Sequence, residues 1–384
     1  MNLLDLVLLV VGVLAAAGGY RAGLVARFLS WAGMAAGLVL AARVLPDIVE
    51  RVGQGDPRGR FMVGTAVLLG GAFAGQAIGL VAGARANLAL PAVGRPFDRV
   101  GGAVAGVFSV LVALWLLLPG LQDVPGELAS QARGSVIARF VDANGPRPPG
   151  ALQTLRALVG EDGIPQVFDG LRRSPDAGPP PGESGLPPAV LEAAMASSVR
   201  VEGEACSRIQ EGSGFAVADD LVVTNAHVVA GSEAPNVITR TGRRVPATVV
   251  HFDPDRDLAL LRADVNLAPL PIGEAEVGDV GAVLGYPGGG PLVVSPFAVH
   301  DDIEALGRDL YDEHRTERHV LVLASALRPG DSGAALVGAR GEVVGVAFAI
   351  APDKADTAYA LDVSELHAVL AAPRGPAVSA GPCL

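Results

Sequence analysis

The chain has 384 residues, a formal net charge of −11, 50% hydrophobic residues and only 18% charged ones, with a mean hydropathy of +0.43. That is too apolar for an ordinary soluble protein and calls for a membrane part. The acidic balance argues against a nucleic-acid partner, which needs a basic patch; Lys354 is the only lysine, so arginine carries almost all the positive charge.

The apolar surplus sits in the first third. Four nearly uncharged stretches, beginning at Leu6, Phe28, Phe61 and Val100, each approach the length of a transmembrane helix, about 20 residues for ~30 Å of hydrocarbon. A cleaved signal peptide is the competing reading of the first, since "LAAAG" offers small residues. Its leading "MNLLD" has an acid and no Lys or Arg, which favours a retained span. Glycine and alanine are dense in all four, allowing close helix approach in lipid. The short loops 1–2 and 3–4 carry Arg21, Arg27, Arg85, Arg95 and Arg99 with little acid beyond Asp98. Positive charge favours the cytoplasmic side. Four spans then put both termini and the C-terminal half outside, in the periplasmic space.

Residues 1–120 are thus expected as a four-helix membrane domain and 121–198 as a Pro/Gly-rich linker, with "GPRPPG" and "SPDAGPPPGESGLPP" stiffened by polyproline II tendency. Two apolar-periodic pieces interrupt it, "ALQTLRALV" and "PAVLEAAMASS", read as amphipathic helices. From 199 to 384 the pattern turns to short β-branched runs between turns, among them "GSGFAVA", "LVVTNAHVV", "RRVPATVVHFD", "LALLRA", "VGAVLGYP" and "GEVVGVAFAI". Such spacing predicts an all-β barrel or sandwich.

Three segments of that domain carry chemistry. "TNAHVV" supplies His227, "DPDRDLALL" supplies Asp257 directly before an apolar strand, and "RPGDSGAAL" supplies Ser332 in a glycine-rich turn. A lone histidine among apolar residues is usually a core histidine, and a lone "GDSG" is usually loop chemistry. Together and in order they describe a nucleophile, a base and an orienter: a serine hydroxyl needs a base in reach, and the base needs a carboxylate to fix its tautomer. Gly330, two residues before the serine, lets the amides of Gly330 and Ser332 converge on a developing oxyanion. Asp253 and Asp255 compete with Asp257 for the orienter role; His251, His300, His314, His319 and His367 have no motif context. No metal or cofactor is called for.

With these motifs, the region 200–370 resembles the chymotrypsin-fold (trypsin-like, S1) serine proteases of the bacterial branch with "TNAHVV" and "DLALL". The opening "LDLVLLVVGVLAAAGGYRAG" resembles the colicin V production protein family, and the combination resembles actinobacterial membrane-anchored serine proteases of the acid-resistance type. The resemblance implies two perpendicular six-stranded β-barrels with the triad between them. It also implies proteolysis of envelope or secreted proteins outside the membrane, in acid or oxidative stress. It favours Asp257 as orienter, because this aspartate abuts "LALL". One departure is "GDSGAAL", where Ala334 and Ala335 stand in place of a glycine and a proline.

By the same resemblance Ala326, six residues before the serine, lies at the base of the S1 pocket, and Ala347, Phe348 and Ala349 form walls with a narrowed entrance. With no carboxylate at the base, an apolar, small to medium P1 residue is expected. The only cysteines, Cys206 and Cys383, form an even pair in a region expected to face an oxidising space. A disulfide between them is expected, as a staple or as a regulator. Two other classes remain. One is a membrane scaffold or transport-associated protein whose barrel is an inactive binding module, disfavoured by the complete set of reacting residues. The other is an intramembrane protease, disfavoured because Ser30 and Ser109 have no histidine or paired aspartates at membrane depth.

Overall fold

The computed structural model describes residues 1–52, 57–88, 91, 94–123, 126–145, 167–168, 173–205 and 208–384. These form two compact units, Met1–Leu117 with Ser135–Val141, and Leu118–Gly134 with Asp142–Leu384. The pieces "ALQTLRALV" and most of "GPRPPG", and Cys206, lie outside the described residues.

The first unit is built on α1 (Leu3–Ala22), α2 (Leu24–Val52), α3 (Pro57–Leu88) and α4 (Arg95–Asp123). Each contains a segment long and apolar enough to cross a membrane, namely Leu3–Ala22, Leu24–Val44, Ala66–Asn87 and Arg95–Leu118. Only Gly23 separates α1 from α2, at φ +83°, and a Cβ there would collide with the Asp98 carboxylate. That carboxylate caps α2 by accepting from Val25 N at 2.9 Å, an orphan donor at the helix start. Glycine sets the α2–α3 approach: a Cβ on Gly33 or Gly37 would overlap the carbonyl oxygen of Gly75 or Gly71, the small-residue packing that lipid favours. The arginine-bearing ends meet: Asn87 donates to Ala22 O at 2.9 Å, and the Arg99 guanidinium lies 5.9 Å from the Tyr20 ring centre. At the other end of α1, Asp5 accepts from Ser135 Oγ at 2.6 Å and from Ile137 N at 3.1 Å. It thereby caps α6 (Val136–Asn144), which follows α5 (Glu127–Gly134).

In the second unit, residues 173–187 form neither helix nor strand and are tied to residues 353–354, with Ser174 N donating to Asp353 at 3.2 Å and Lys354 pairing with Asp176 at 2.7 Å. The stretch "PAVLEAAMASS" folds as α7 (Pro188–Ser197), started by proline and burying Ala194. Seven strands then form one sheet: β1 (Ser198–Ala205), β2 (Arg208–Ala218), β3 (Leu221–Thr224), β4 (Asn236–Thr239), β5 (Arg244–Pro246), β6 (Thr248–Asp253) and β7 (Leu258–Arg262). Six more close into a barrel: β8 (Val280–Gly285), β9 (Val293–Arg308), β10 (Arg315–Ala324), β11 (Ala335–Gly338), β12 (Val343–Ile350) and β13 (Thr357–Asp362).

The barrel order is β10-β13-β12-β11-β8-β9, and the sheet order is β5-β4-β1-β2-β3-β7-β6. The second barrel therefore has the six strands expected, whereas the first layer is a seven-stranded sheet and not a closed six-stranded barrel. The three-residue β5 accounts for the extra strand, pairing with β4 at the edge of the sheet beyond β1. The two layers share a core in which Phe215, Leu258 and Leu260 of the sheet join Leu284, Val320, Val346 and Phe348 of the barrel. After α9 (Val363–Ala371), capped by Asp362, the tail returns to the sheet, where Val378 N donates to Val249 O at 2.8 Å and Gly231 N to Ala380 O at 3.1 Å.

Candidate active site

His227 lies on α8 (Ala226–Val229), one turn of helix directly after β3. Asp257 lies in the tight turn between β6 and β7, at φ +55°, a conformation that L-residues adopt only where their surroundings enforce it. The enforcing bonds run between these two segments. The Asp257 carbonyl accepts from Asn225 Nδ2 at 2.7 Å and from Ala226 N at 3.2 Å. Its Oδ1 accepts from His227 N at 2.8 Å, and its Oδ2 meets His227 Nδ1 at 2.6 Å. The carboxylate is 1% exposed and the imidazole 9%. With Nδ1 as the donor, Nε2 keeps its lone pair and can take a proton from a nucleophile.

Of the three acids in "DPDRD", Asp257 alone meets His227. Asp253 Oδ1 instead accepts from the amides of Asp255 and Arg256, and Asp255 pairs with His314 Nε2 at 2.9 Å. The Asp255 carbonyl is gripped from the second barrel by Arg318 Nε at 2.6 Å. Arg318 also donates to Arg308 O at 2.6 Å and stands 5.4 Å over the Phe348 ring. Burial pulls this guanidinium below its usual pKa, and the neighbouring Asp257, Glu365, Asp255 and Asp253 charges oppose that shift.

Ser332 belongs to the turn between β10 and β11. Gly330 and Gly333 have φ of +98° and +84°, so glycine is required at both on conformational grounds. Space requires it too. A Cβ on Gly330 would stand 2.6 Å from Gly288 N, and one on Gly333 would overlap the Ser213 carbonyl oxygen and stand 3.1 Å from Asn225 N. The last contact packs the serine turn against the strand that leads to His227.

Four consecutive carbonyls of this turn are bonded. Pro329 O accepts from Gly288 N at 2.9 Å, Gly330 O from Ser213 Oγ at 2.7 Å, Asp331 O from Ala334 N at 3.0 Å and Ser332 O from Ser213 N at 2.8 Å. In a trans peptide the N–H points opposite to the C=O. Holding the carbonyls of Pro329 and Asp331 therefore turns the amides of Gly330 and Ser332 the other way. Among the described residues neither amide donates within the chain, which leaves both available to an external oxyanion. Ser332 Oγ has no hydrogen bond among the described residues, to His227 included. Apo sites commonly leave this bond unmade until substrate tightens it.

Asp331 is 3% exposed and accepts from Arg328 N at 2.9 Å. Burial pushes its carboxyl up to about 6. The expected S1 residues separate. Ala326 is exposed, while Phe348 is 1% exposed and lies in the shared core beneath Arg318. Phe348 therefore sits in the core and not in the wall of an entrance, beside the β12–β13 register shift between Ala347 and Ala349. Ala347 packs in the core on the other side of the strand, and Ala349 is buried too. Ala347 meets the serine turn through its backbone, its carbonyl accepting from Gly333 N at 2.8 Å. Cys383 is engaged in a disulfide. Ser213 and Arg318 carry no motif signal in the sequence; a serine flanked by glycines in a buried strand is the one available clue to the former.

A His–Asp pair beside a glycine-flanked serine, set in two packed β layers, defines the serine endopeptidases of the chymotrypsin fold. The chain joins such an enzyme to a multi-pass membrane unit. Residues 212–346 match the trypsin-like peptidase domain and residues 4–146 match the colicin V production protein. The serine protease Rv3671c of Mycobacterium tuberculosis is 34% identical over 388 residues, spanning 96% of this chain and 95% of its own. The chain belongs to the family of that serine protease. The crystal structure of the active form of the Rv3671c protease superposes with a TM-score of 0.52 at 35% identity, over 55% of this chain and 96% of the other. The putative serine protease HhoA of Synechocystis sp. is 30% identical over 168 residues, 41% of this chain and 42% of its own.

Proposed function

We propose that Ser332 is the nucleophile of this endopeptidase, His227 its general base and Asp257 the group that fixes the imidazole. The observation that carries the assignment is the buried 2.6 Å contact between His227 Nδ1 and Asp257 Oδ2, which leaves Nε2 as the acceptor. On substrate binding, Ser332 Oγ attacks the scissile carbonyl and its proton passes to Nε2. Asp257 stabilises the imidazolium that forms. The carbonyl oxygen, now an oxyanion, is received by the amides of Gly330 and Ser332; loss of one such donor costs about 3 kcal/mol in transition-state stabilisation in comparable enzymes. His227 then protonates the leaving amine, an acyl-enzyme forms on Ser332, and water activated by the same histidine releases it. Labelling by a fluorophosphonate probe tests the assignment: the full-length protein is expected to label, and Ser332→Ala and His227→Ala to abolish labelling. A Ser332→Ala protein that still labels refutes it.

We infer further that the protease domain, with boundaries near 199–384, lies outside the cytoplasmic membrane. The gathering of Arg21, Arg27, Arg85, Arg95 and Arg99 at the ends of the first unit's helices supports this. A reporter fused after Leu384 that is active only in the cytoplasm is expected to stay silent. Substrates are then envelope or secreted proteins, and Ala326 at the pocket base favours an apolar P1 residue; preferred cleavage after arginine in a peptide library overturns that preference. A disulfide between Cys206 and Cys383, the two cysteines of the chain, is part of the same reading, since both would then face an oxidising space. The link to acid or oxidative stress rests on family resemblance, and survival of a deletion strain complemented with Ser332→Ala at mildly acidic pH tests it.

A further inference from the structure

The turn that holds Ser332 depends on a side chain that lies far from it in sequence. Gly330 occupies φ +98°, and glycine imposes little on its own torsions, so the direction of its amide has to be set from outside. Of the four bonded carbonyls between Pro329 and Ser332, three are held by backbone amides. The fourth, Gly330 O, is held by the hydroxyl of Ser213 at 2.7 Å, the one side chain that bonds this run among the described residues.

Ser213 is itself fixed on every side. It lies on β2 opposite Arg200 of β1 and is 0% exposed. Its Oγ accepts from Tyr286 N at 2.8 Å, and its carbonyl accepts from Thr224 Oγ1 at 2.7 Å. Its amide donates to Ser332 O at 2.8 Å. Accepting one bond and donating one exhausts the single proton of the hydroxyl, so its direction is determined. Tyr286 N supplies the acceptor contact, and the proton has only Gly330 O to face. Tyr286 starts the segment 286–289, and from that segment Gly288 N holds Pro329 O. One residue of the first sheet thus ties together the strand before His227, the segment after β8 and both sides of the serine turn.

We propose that Ser213 is a positioning residue for the oxyanion hole: its hydroxyl fixes the carbonyl on the far side of Gly330 and, through Tyr286 N, anchors the segment whose Gly288 N holds Pro329 O and so directs the Gly330 amide toward the reacting carbonyl. The proposal rests on the Ser332 nucleophile and on the Gly330 and Ser332 amides as the hole. Rotation of the Gly330 torsions would swing the donor away without unfolding the barrel, so the loss falls on the transition state. Ground-state binding is left unchanged, which is the signature of a positioning effect in kinetics.

The test uses the full-length protein in detergent, with fluorophosphonate as probe, because the phosphonylated serine places an oxygen where the oxyanion forms, whatever the peptide specificity. Ser332→Ala, Ser213→Ala and Ser213→Thr are compared with the unmodified chain. Labelling rate per folded molecule is read beside the thermal unfolding midpoint, and kcat and KM are read separately on fluorescent casein. The expected result is a loss of roughly tenfold in labelling rate and in kcat for Ser213→Ala, with KM unchanged. Recovery is expected in Ser213→Thr, which keeps a hydroxyl. Ser213→Ala labelling at the unmodified rate overturns the proposal. So does a loss that tracks only the folded fraction, or a rise in KM at constant kcat. Labelling that persists in Ser332→Ala overturns the nucleophile assignment instead and is read separately.

Discussion

Asp331 adjoins the nucleophile, and its environment predicts a measurable dependence of stability on pH. The carboxyl is buried behind the serine turn, with one amide donor from Arg328, and burial raises its pKa from 3.8 to about 6. A raised carboxyl pKa means that the folded state binds the proton more tightly than the unfolded chain. The stabilisation is therefore fully present below the unfolded value near 3.8 and is lost as pH rises through about 6. At 1.36 kcal/mol per unit the shift corresponds to about 3 kcal/mol. For a domain of this size that amounts to roughly 6–12 °C in unfolding midpoint. Asp331→Asn keeps an acceptor for Arg328 N and removes the titration. Thermal unfolding of both proteins between pH 4 and pH 7 isolates the contribution, because every other group cancels in the difference. The unmodified protein is expected to lose stability relative to Asp331→Asn as pH rises from 4 to 7. A difference that is flat across this range refutes the reasoning, and one that grows in the opposite sense shows the carboxylate to be the form the turn prefers.

The remaining predictions concern the supports of the site. Arg318→Met removes two bonds from a guanidinium, each worth about 1.5–3 kcal/mol, while relieving the cost of burying a charge; a net loss of about 2 kcal/mol in urea unfolding is expected. Its kcat is expected to fall at constant KM, since the Asp255 carbonyl that Arg318 holds lies two residues from Asp257. Gly333→Ala places a Cβ against the Ser213 carbonyl at positive φ, and fluorophosphonate labelling is expected to disappear with a loss of about 3 kcal/mol or more. Reduction of the disulfide, or Cys206→Ser, is expected to lower stability by up to about 5 kcal/mol through loop entropy. An activity change at a temperature where both forms remain folded marks it as a regulator, while equal melting temperatures and two free thiols remove it altogether.

The spans and the strands were legible in the sequence because each rests on local pattern, apolar length in one case and short β-branched runs between turns in the other. The motif "GDSG" was legible for a similar reason. Both glycines answer to torsions of +98° and +84° that no neighbouring choice of residue can relieve. Phe348 was misplaced because its role depends on which face of β12 it occupies. Beside the β12–β13 bulge between Ala347 and Ala349, alternation has to be read from the pairing and not from the sequence. The seventh strand of the first sheet was missed because β5 has only three residues, too few to show a period.

Ser213 and Arg318 were illegible for a different reason, and it bears on how this site holds its shape. Ser213 reaches a carbonyl 117 residues away, and Arg318 reaches one 63 residues away. In both, the acceptor is backbone, so no complementary residue type at the far end advertises the contact. Each bond also crosses between the sheet and the barrel, in opposite directions: a sheet residue holds the serine turn, and a barrel residue holds the turn of Asp257. The reacting groups are divided in the same way, with His227 and Asp257 on the sheet and Ser332 on the barrel. A small slip between the layers would part nucleophile from base while leaving each layer folded. The two crossed bonds oppose that slip from both sides. Loss of either is therefore expected to lower kcat before it lowers secondary structure, and the double variant Ser213→Ala with Arg318→Met to lose more than the product of the single effects. A strictly multiplicative loss of kcat would show that the two turns are held independently.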